Sequence, residues 1–314
     1  MPYWFVCIVS SFVAALLGVG FLTLLERKLL AYAQSRQGPC MVGVLGLGQP
    51  FADAIKLFTK EMVVPHRANR WAFLFAPVLM LSCALMLWLS SPSLMEGGLI
   101  MGWGVLFVVC VSSAAVHGVL MAGWASNSKY ALLGAVRAMA QVVSYEVVML
   151  FLVVIPVVLW GANGCLFYLA SKSWGVYLGV SGWFFLAIWI FCITAETNRA
   201  PFDFAEGESE LVSGFNVEYS GGPFAMVFMA EYSNVVFMGI FTSLLFVGYG
   251  GESGLIACFI VCCQGALFAC LMVWMRAGFP RYRYDLLMAT TWKSLLPVSL
   301  SGFGVLLVLI SVVL

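Results

Sequence analysis

Charge-free apolar runs long enough to cross a bilayer recur along this chain, and that recurrence limits its possible folds more than any other feature. Pro2–Leu25, Trp71–Met95, Gly97–Ser128, Ser173–Ala195, Ser253–Met275 and Ser294–Leu314 contain no Asp, Glu, Lys or Arg. A helix needs roughly 20 predominantly apolar residues to cross the hydrocarbon core. Two further apolar stretches, 131–160 and 221–250, are interrupted by Arg137 and Glu146 and by Glu231 respectively. In lipid only helices and closed barrels satisfy every backbone hydrogen bond, and these runs are continuous rather than alternating as barrel strands are. The sequence therefore predicts an all-α, polytopic membrane protein, a single transmembrane domain over 1–314 with about eight helices. The spans are expected near 2–25, 71–95, 99–122, 131–160, 173–196, 222–248, 253–276 and 294–314. The first run has no basic n-region and no small-residue cleavage site, so it reads as a span rather than a removable signal.

Basic residues orient the bundle. With eight spans both chain ends share one face, and the odd-numbered loops share the other. Arg27, Lys28, Arg36, Lys56, Lys60, Arg67 and Arg70 fall in the first loop; Lys129, Arg137, Arg199, Arg276, Arg281, Arg283 and Lys293 fall in or beside loops three, five and seven. Only Lys172 is left for the opposite side. The positive-inside rule then puts the odd loops in the cytoplasm or its organellar equivalent, the matrix.

Acidic residues are distributed just as unevenly. Charged residues make up 9% of the chain, yet seven of its fourteen carboxylates lie between Glu196 and Glu231, with Arg199 the only base among them. They are Glu196, Asp203, Glu206, Glu208, Glu210, Glu218 and Glu231. Like charges in a partly desolvated site raise carboxyl pKa values and titrate as a coupled set. Carboxylates at membrane depth are costly and mark ion or proton chemistry. Glu196 at the end of the fifth span, Glu231 inside the sixth and Glu146 inside the fourth are therefore candidate proton-transfer groups. Glu206 and Glu210 align only in a helix, whereas all of Glu206, Glu208 and Glu210 share a face only if the segment is extended. Asp203 and Glu218 read equally well as solvated loop residues or helix caps.

Redox chemistry on this chain has few ligands to draw on. The ten cysteines are scattered, with no CxxC pair, and fit the role of small apolar packing residues. His66 and His117 are the only histidines, and only His117 falls in a span. Neither a transmembrane bis-histidine haem nor an iron–sulfur cluster can be built from such a set. No metal site and no covalent catalyst is expected. Electrons, if the protein handles them, are carried by another chain.

The first loop contains QPFADAIKLFTKE, in which Phe51, Ala54, Ile55, Phe58 and Met62 recur at helical spacing while Asp53, Lys56, Lys60 and Glu61 occupy the remaining circumference. A helix over 51–62 is expected, too polar to span and suited to the interface. The preceding Gly43–Gly48 segment lacks the spacing of a dinucleotide fingerprint and reads as a backbone turn.

Five segments carry a resemblance: ERKLLAYAQSRQGP, QPFADAIKLFTKE, GWASNSKYALLGAVRAMAQVVSYE, AETNRAPFDFAEGESELVSGFNVEY and FPRYRYDLLM. In order, from Glu26 to about Pro297, they resemble membrane subunit 1 of proton-pumping NADH–quinone oxidoreductase, respiratory complex I. Departures are local: Cys40, Val44 and Gly48 stand where that family usually has Asn, Pro and an apolar residue. The resemblance implies a subunit that docks the hydrophilic arm, encloses much of a quinone chamber and couples quinone reduction to proton translocation. It implies a chamber entrance built from the first span, the amphipathic helix and the start of the sixth span, with Phe51, Ala54, Phe58 and Phe224 against the isoprenoid tail. Glu26, Arg27, Arg36, Arg199 and Asp203 would lie near the quinone passage. Asp53 joins Glu146, Glu196, Glu206, Glu208, Glu210, Glu218 and Glu231 as an implied proton-transfer group, and 197–221 is the implied acidic quinone-site loop.

On the same resemblance ubiquinone is substrate, and the flavin and iron–sulfur clusters belong to partner subunits. The implied partners are peripheral-arm subunits of the quinone site, neighbouring membrane-arm subunits, ubiquinone and lipid, with no nucleic acid. Short loops and a compact chain favour the mitochondrial inner membrane, with a bacterial plasma membrane as the alternative. Two other functions stay open from sequence. A membrane subunit of a proton-coupled hydrogenase shares the ancestry. A cation/proton secondary transporter would require internal repeats with paired broken helices, which this sequence does not display.

Overall fold

The computed structural model describes residues 2–91, 103–159, 179–205, 207, 214–248 and 255–313. Among them every regular element is helical. In chain order these are α1 (Pro2–Ala33), α2 (Gln49–Thr59), α3 (Arg70–Trp88), α4 (Gly104–Ala125), α5 (Lys129–Leu159), α6 (Gly179–Glu196), α7 (Gly221–Thr242), α8 (Leu255–Gly278), α9 (Tyr284–Thr290) and α10 (Leu296–Val313). A π-helical turn, Ser243–Val247, prolongs α7, and a second, Thr291–Leu295, joins α9 to α10.

Among the described residues seven helices are long and apolar enough to cross a membrane. The apolar part of α6, Gly182–Glu196, is shorter; the residues before it, 160–178, lie outside the described set. The all-α polytopic architecture expected from the apolar runs is the one observed.

Helix boundaries depart from the expected spans at several places, three of which bear on the site. α1 has 32 residues, about 48 Å at 1.5 Å per residue. Its last turns therefore carry Glu26, Arg27 and Lys28 as helical residues rather than loop residues. α2 ends at Thr59 instead of Met62 because Lys60 turns extended (φ −74°, ψ 137°), and the Val63 N–H donates to Ser220 Oγ at 3.1 Å. The last apolar span begins with α9 at Tyr284, ten residues before the expected 294, with Asp285 in the first turn, where a carboxylate complements the helix dipole.

Small residues decide how the bundle closes. α3 packs on α4 and α7, α4 on α5, α5 on α6 and α10, and α1 on α7 and α8. Ala76, Ala84, Ala122, Ala125, Ala135 and Ala138 are buried in the interior shared by α3, α4 and α5, the residue type that lets membrane helices approach closely. The crossing of α7 and α8 is closer still. A Cβ on Gly239 would lie 2.6 Å from the Gly265 carbonyl oxygen, and one on Gly265 would lie 2.8 Å from Ile240 Cγ1. Around these contacts Trp189, Phe237, Phe241, Met149 and Leu152 form one buried cluster, and Phe73, Phe215 and Tyr219 form part of a second. Trp71, Trp103, Trp183 and Trp274 are exposed near helix ends, as expected of aromatic side chains at membrane interfaces.

Candidate functional site

Glu26 is the most strongly paired carboxylate in the described residues. It projects from α1 and is 3% exposed. Arg199, in the turn after α6, places Nη1 3.1 Å from both Glu26 oxygens, and Arg276 from the last turn of α8 pairs with the same carboxylate. The Tyr232 hydroxyl on α7 donates to it as well, and the Arg199 guanidinium stacks 4.1 Å above the Tyr232 ring. Four segments far apart in sequence thus meet on one carboxylate. Burial works against the charged Arg199, but Glu26, Tyr232 and Glu231 outweigh it and hold the guanidinium pKa above its ordinary value. Arg276 reads from sequence as a topological and docking residue; the structure gives it an ion-pair role.

The first loop assembles beside this cluster. Arg27 Nη1 donates to Asp53 Oδ2 at 2.7 Å, and Gln49 Nε2 donates to Asp53 Oδ1 at 3.2 Å. Asp53 is therefore engaged in anchoring α2 to α1. Pro50 occupies the first turn of α2, where its missing N–H is no loss. Phe51 meets Phe21 edge-on at 6.2 Å. Phe51, Ile55 and Phe58 are otherwise more than half exposed, and Ala54 is half-buried. Gly221, at φ +60°, starts α7 so close to the carbonyls of Lys60 and Glu61 that a Cβ would lie 2.9 Å from the first. Phe224 follows one turn later and packs on Phe228 at 4.5 Å. Arg36 lies apart, exposed, with its Nε donating to Gln34.

Deeper in the bundle a cavity of about 60 Å³ opens between α3, α4, α5, α7 and the end of α6. Its polar lining is Ser112, Glu196, Thr197, Asn198, Glu231 and Asn234. Glu196 Oε2, Asn198 Oδ1 and Asn234 Oδ1 are buried and have no protein partner. The cavity is lined mostly by apolar side chains but is large enough for several waters, and buried oxygens of this kind are the groups that ordered water satisfies. Glu146 on α5 is half-buried, bonds Ser113 and acts electrostatically on Glu196. Glu196 and Glu231 thus share one cavity, and Glu146 acts on Glu196.

The acidic loop is only partly described: Glu206, Glu208 and Glu210 lie outside the described residues. Its entry is fixed by Asp203, which pairs with Arg281 Nη2 at 3.7 Å, and by the Tyr282 N–H donating to the Pro201 carbonyl at 3.2 Å. Phe202 packs on Tyr282 and Phe204 on Tyr284. Its exit is fixed by Tyr219, stacked on Phe73 at 4.1 Å with rings parallel; burial pushes that phenol's pKa up. Glu218 is half-buried beside it.

Tyr232, Asn198 and Asn234 belong to these two centres and were not singled out from sequence. Each is a hydrogen-bonding group at or near membrane depth, where such groups are expensive. Their signal was present but diluted among apolar neighbours.

Comparison with known proteins gives this arrangement a context. The chain matches the NADH dehydrogenase family over residues 6–307. It is 48% identical to NADH-ubiquinone oxidoreductase chain 1 of Pecten maximus over 96% of this chain and 87% of the relative. It is 49% identical to the protein of that name from Branchiostoma lanceolatum (92% and 90% covered) and 48% identical to that from Balaenoptera physalus (94% and 92%). A match across nearly the whole chain, with relatives sharing close to half its residues, makes this protein a member of the NADH dehydrogenase family.

Proposed function

We propose that the chain couples quinone reduction to proton movement in the membrane arm of respiratory complex I. Its relatives are named NADH-ubiquinone oxidoreductase chain 1; like them it is a membrane subunit of that oxidoreductase, with other complex I subunits as partners. It is multi-pass in the mitochondrial inner membrane, and its odd-numbered, basic loops face the matrix. Quinone enters between α1, α2 and the start of α7, where Phe51, Ala54, Phe58 and Phe224 supply apolar surface. Arg27 and Asp53 hold that entrance in place, and Asp203, Glu26 and Arg199 border the passage.

Reduction of a quinone to a quinol takes two electrons and two protons. The electrons come from flavin and iron–sulfur groups on partner subunits; the scattered cysteines and two histidines of this chain do not suit a cluster. The protons and the charge change concern this chain. One observation carries the proposal: Arg199 pairs with Glu26 at 3.1 Å and is acted on electrostatically by Glu231 as well. A charge change at the Glu26 end is thereby felt at a cavity that holds Glu231 and Glu196, with Glu146 adjoining. Glu206, Glu208, Glu210 and Glu218 extend the carboxylate set along the loop.

The test is Glu231→Gln in the assembled complex. Removing one proton carrier is expected to lower quinone-dependent NADH oxidation roughly tenfold or more. The protons moved per electron should fall with it, while artificial-acceptor NADH oxidation stays at wild-type level. Unchanged quinone reduction and pumping in the assembled variant would overturn the proposal.

A further inference from the structure

Gln141 is buried completely, on α5, and its side chain reaches two separate backbone segments. Nε2 donates to the Ala195 carbonyl at 2.9 Å and to the Phe202 carbonyl at 2.8 Å. Both amide protons are therefore used. The two acceptors face one point, so only the NH₂ end of the amide can occupy it, and the O/N assignment follows from the network. The other end, Oε1, is buried without a hydrogen-bond partner. An unsatisfied buried acceptor is costly; an apolar residue would avoid that cost but would leave the two carbonyls apart.

What those carbonyls bracket gives the contact its significance. Between Ala195 and Phe202 the chain leaves α6 and doubles back, with the Arg199 N–H donating to the Thr194 carbonyl at 3.1 Å and the Phe202 N–H to the Arg199 carbonyl at 2.8 Å. The bracketed turn holds Glu196 and Asn198, which line the cavity, and Arg199, which pairs with Glu26. Asp203, paired with Arg281, follows directly. One amide thus closes a loop whose two working side chains point to different centres.

We propose that Gln141 is a positioning residue: by holding the Ala195 and Phe202 carbonyls together it fixes the Glu196 carboxylate relative to the Arg199 guanidinium, so that the two centres stay in register. This rests on the coupling role proposed above. Gln141 itself touches neither quinone nor a transferred proton.

The experiment compares Gln141→Met, which keeps the volume and removes both donors, with Gln141→Asn, which keeps the amide on a shorter stem, in the assembled complex in sealed membranes. In Gln141→Met the kcat of quinone reduction is expected to fall roughly tenfold, the order that a misplaced catalytic group costs, while KM for quinone stays within about twofold of wild type. The protons moved per electron should drop, artificial-acceptor NADH oxidation should be kept, and Gln141→Asn should recover part of both losses. A merely structural role would lower the amount of complex without changing protons per electron. Wild-type kcat and proton ratio in assembled Gln141→Met overturn the proposal. Failure of both variants to assemble overturns it too, in favour of a folding role. Glu196→Gln separates the two levels: if it disables pumping while Gln141→Met does not, only the positioning role falls, and if it leaves pumping intact, the coupling role falls as well.

Discussion

The Arg199 guanidinium lies 3.1 Å from both oxygens of Glu26, a partner 173 residues earlier in the chain. Their side chains are 14% and 4% exposed, which puts the pair among buried ion pairs rather than surface ones. That distinction sets the size of the effects expected below.

Glu26→Gln leaves two guanidiniums, Arg199 and Arg276, without their shared counter-charge. Removing one partner of a buried pair costs about 3–5 kcal/mol, and the partial exposure of Arg276 moves the expected cost toward the lower figure. The variant complex should unfold at a lower temperature and reduce quinone at least about tenfold more slowly. Differential scanning of the purified complex and steady-state turnover check both. A wild-type melting profile would show that the pair contributes nothing to the fold.

Asp53→Asn is expected to behave differently, because the Arg27–Asp53 pair is open to water, at 50% and 34% exposure. Such a pair contributes about 0.2–1 kcal/mol, so the melting temperature should hardly move. KM for quinone should rise as α2 loses a tether to α1, with kcat unchanged. Added salt should raise the wild-type KM by screening the pair and leave the variant's KM flat. A salt response identical in both proteins would remove the tether from the explanation.

Gly265→Leu tests the α7–α8 crossing. The new side chain meets Ile240 from its first atom onward, and overpacking of this kind costs about 1–3 kcal/mol. Less assembled complex is expected on a native gel, with normal turnover per complex that remains. Gly18→Ala, where a Cβ meets nothing within 4 Å, should assemble like wild type.

How much of this was legible beforehand depended on the kind of signal. Apolar runs announce helices because lipid-crossing segments are predominantly apolar, so seven of the eight expected spans reappear among the described residues as long apolar helices, while α2 was announced by its amphipathic spacing. Glu146, Glu196 and Glu231 stood out singly, since charges within spans are few, but that Glu196 and Glu231 line one cavity did not show. The partners of Glu26 were not. Arg276 looked like any basic residue at a helix end, and nothing local links it to a glutamate 250 positions earlier. Gln141 was hidden for the same reason, because an amide's value lies in which carbonyls it meets. Boundaries slipped where a neighbouring segment intervened, as when Gly221 and Ser220 drew the tail of α2 out of helix.

The wide turn at Ser243–Val247 has a consequence for how the sixth span tolerates change in length. A π-helical turn holds one residue more than the α-helical circuit, so the residues at its end are turned by about 100° about the helix axis. Glu231, Tyr232 and Asn234 face their centres from before the turn, whereas Phe246, which packs on Trp189, takes its bearing from within it. Loss of a single residue there would scarcely shorten the span. It would act as a twist, re-aiming Phe246 and the last turn of the span while leaving the helix before it where it was.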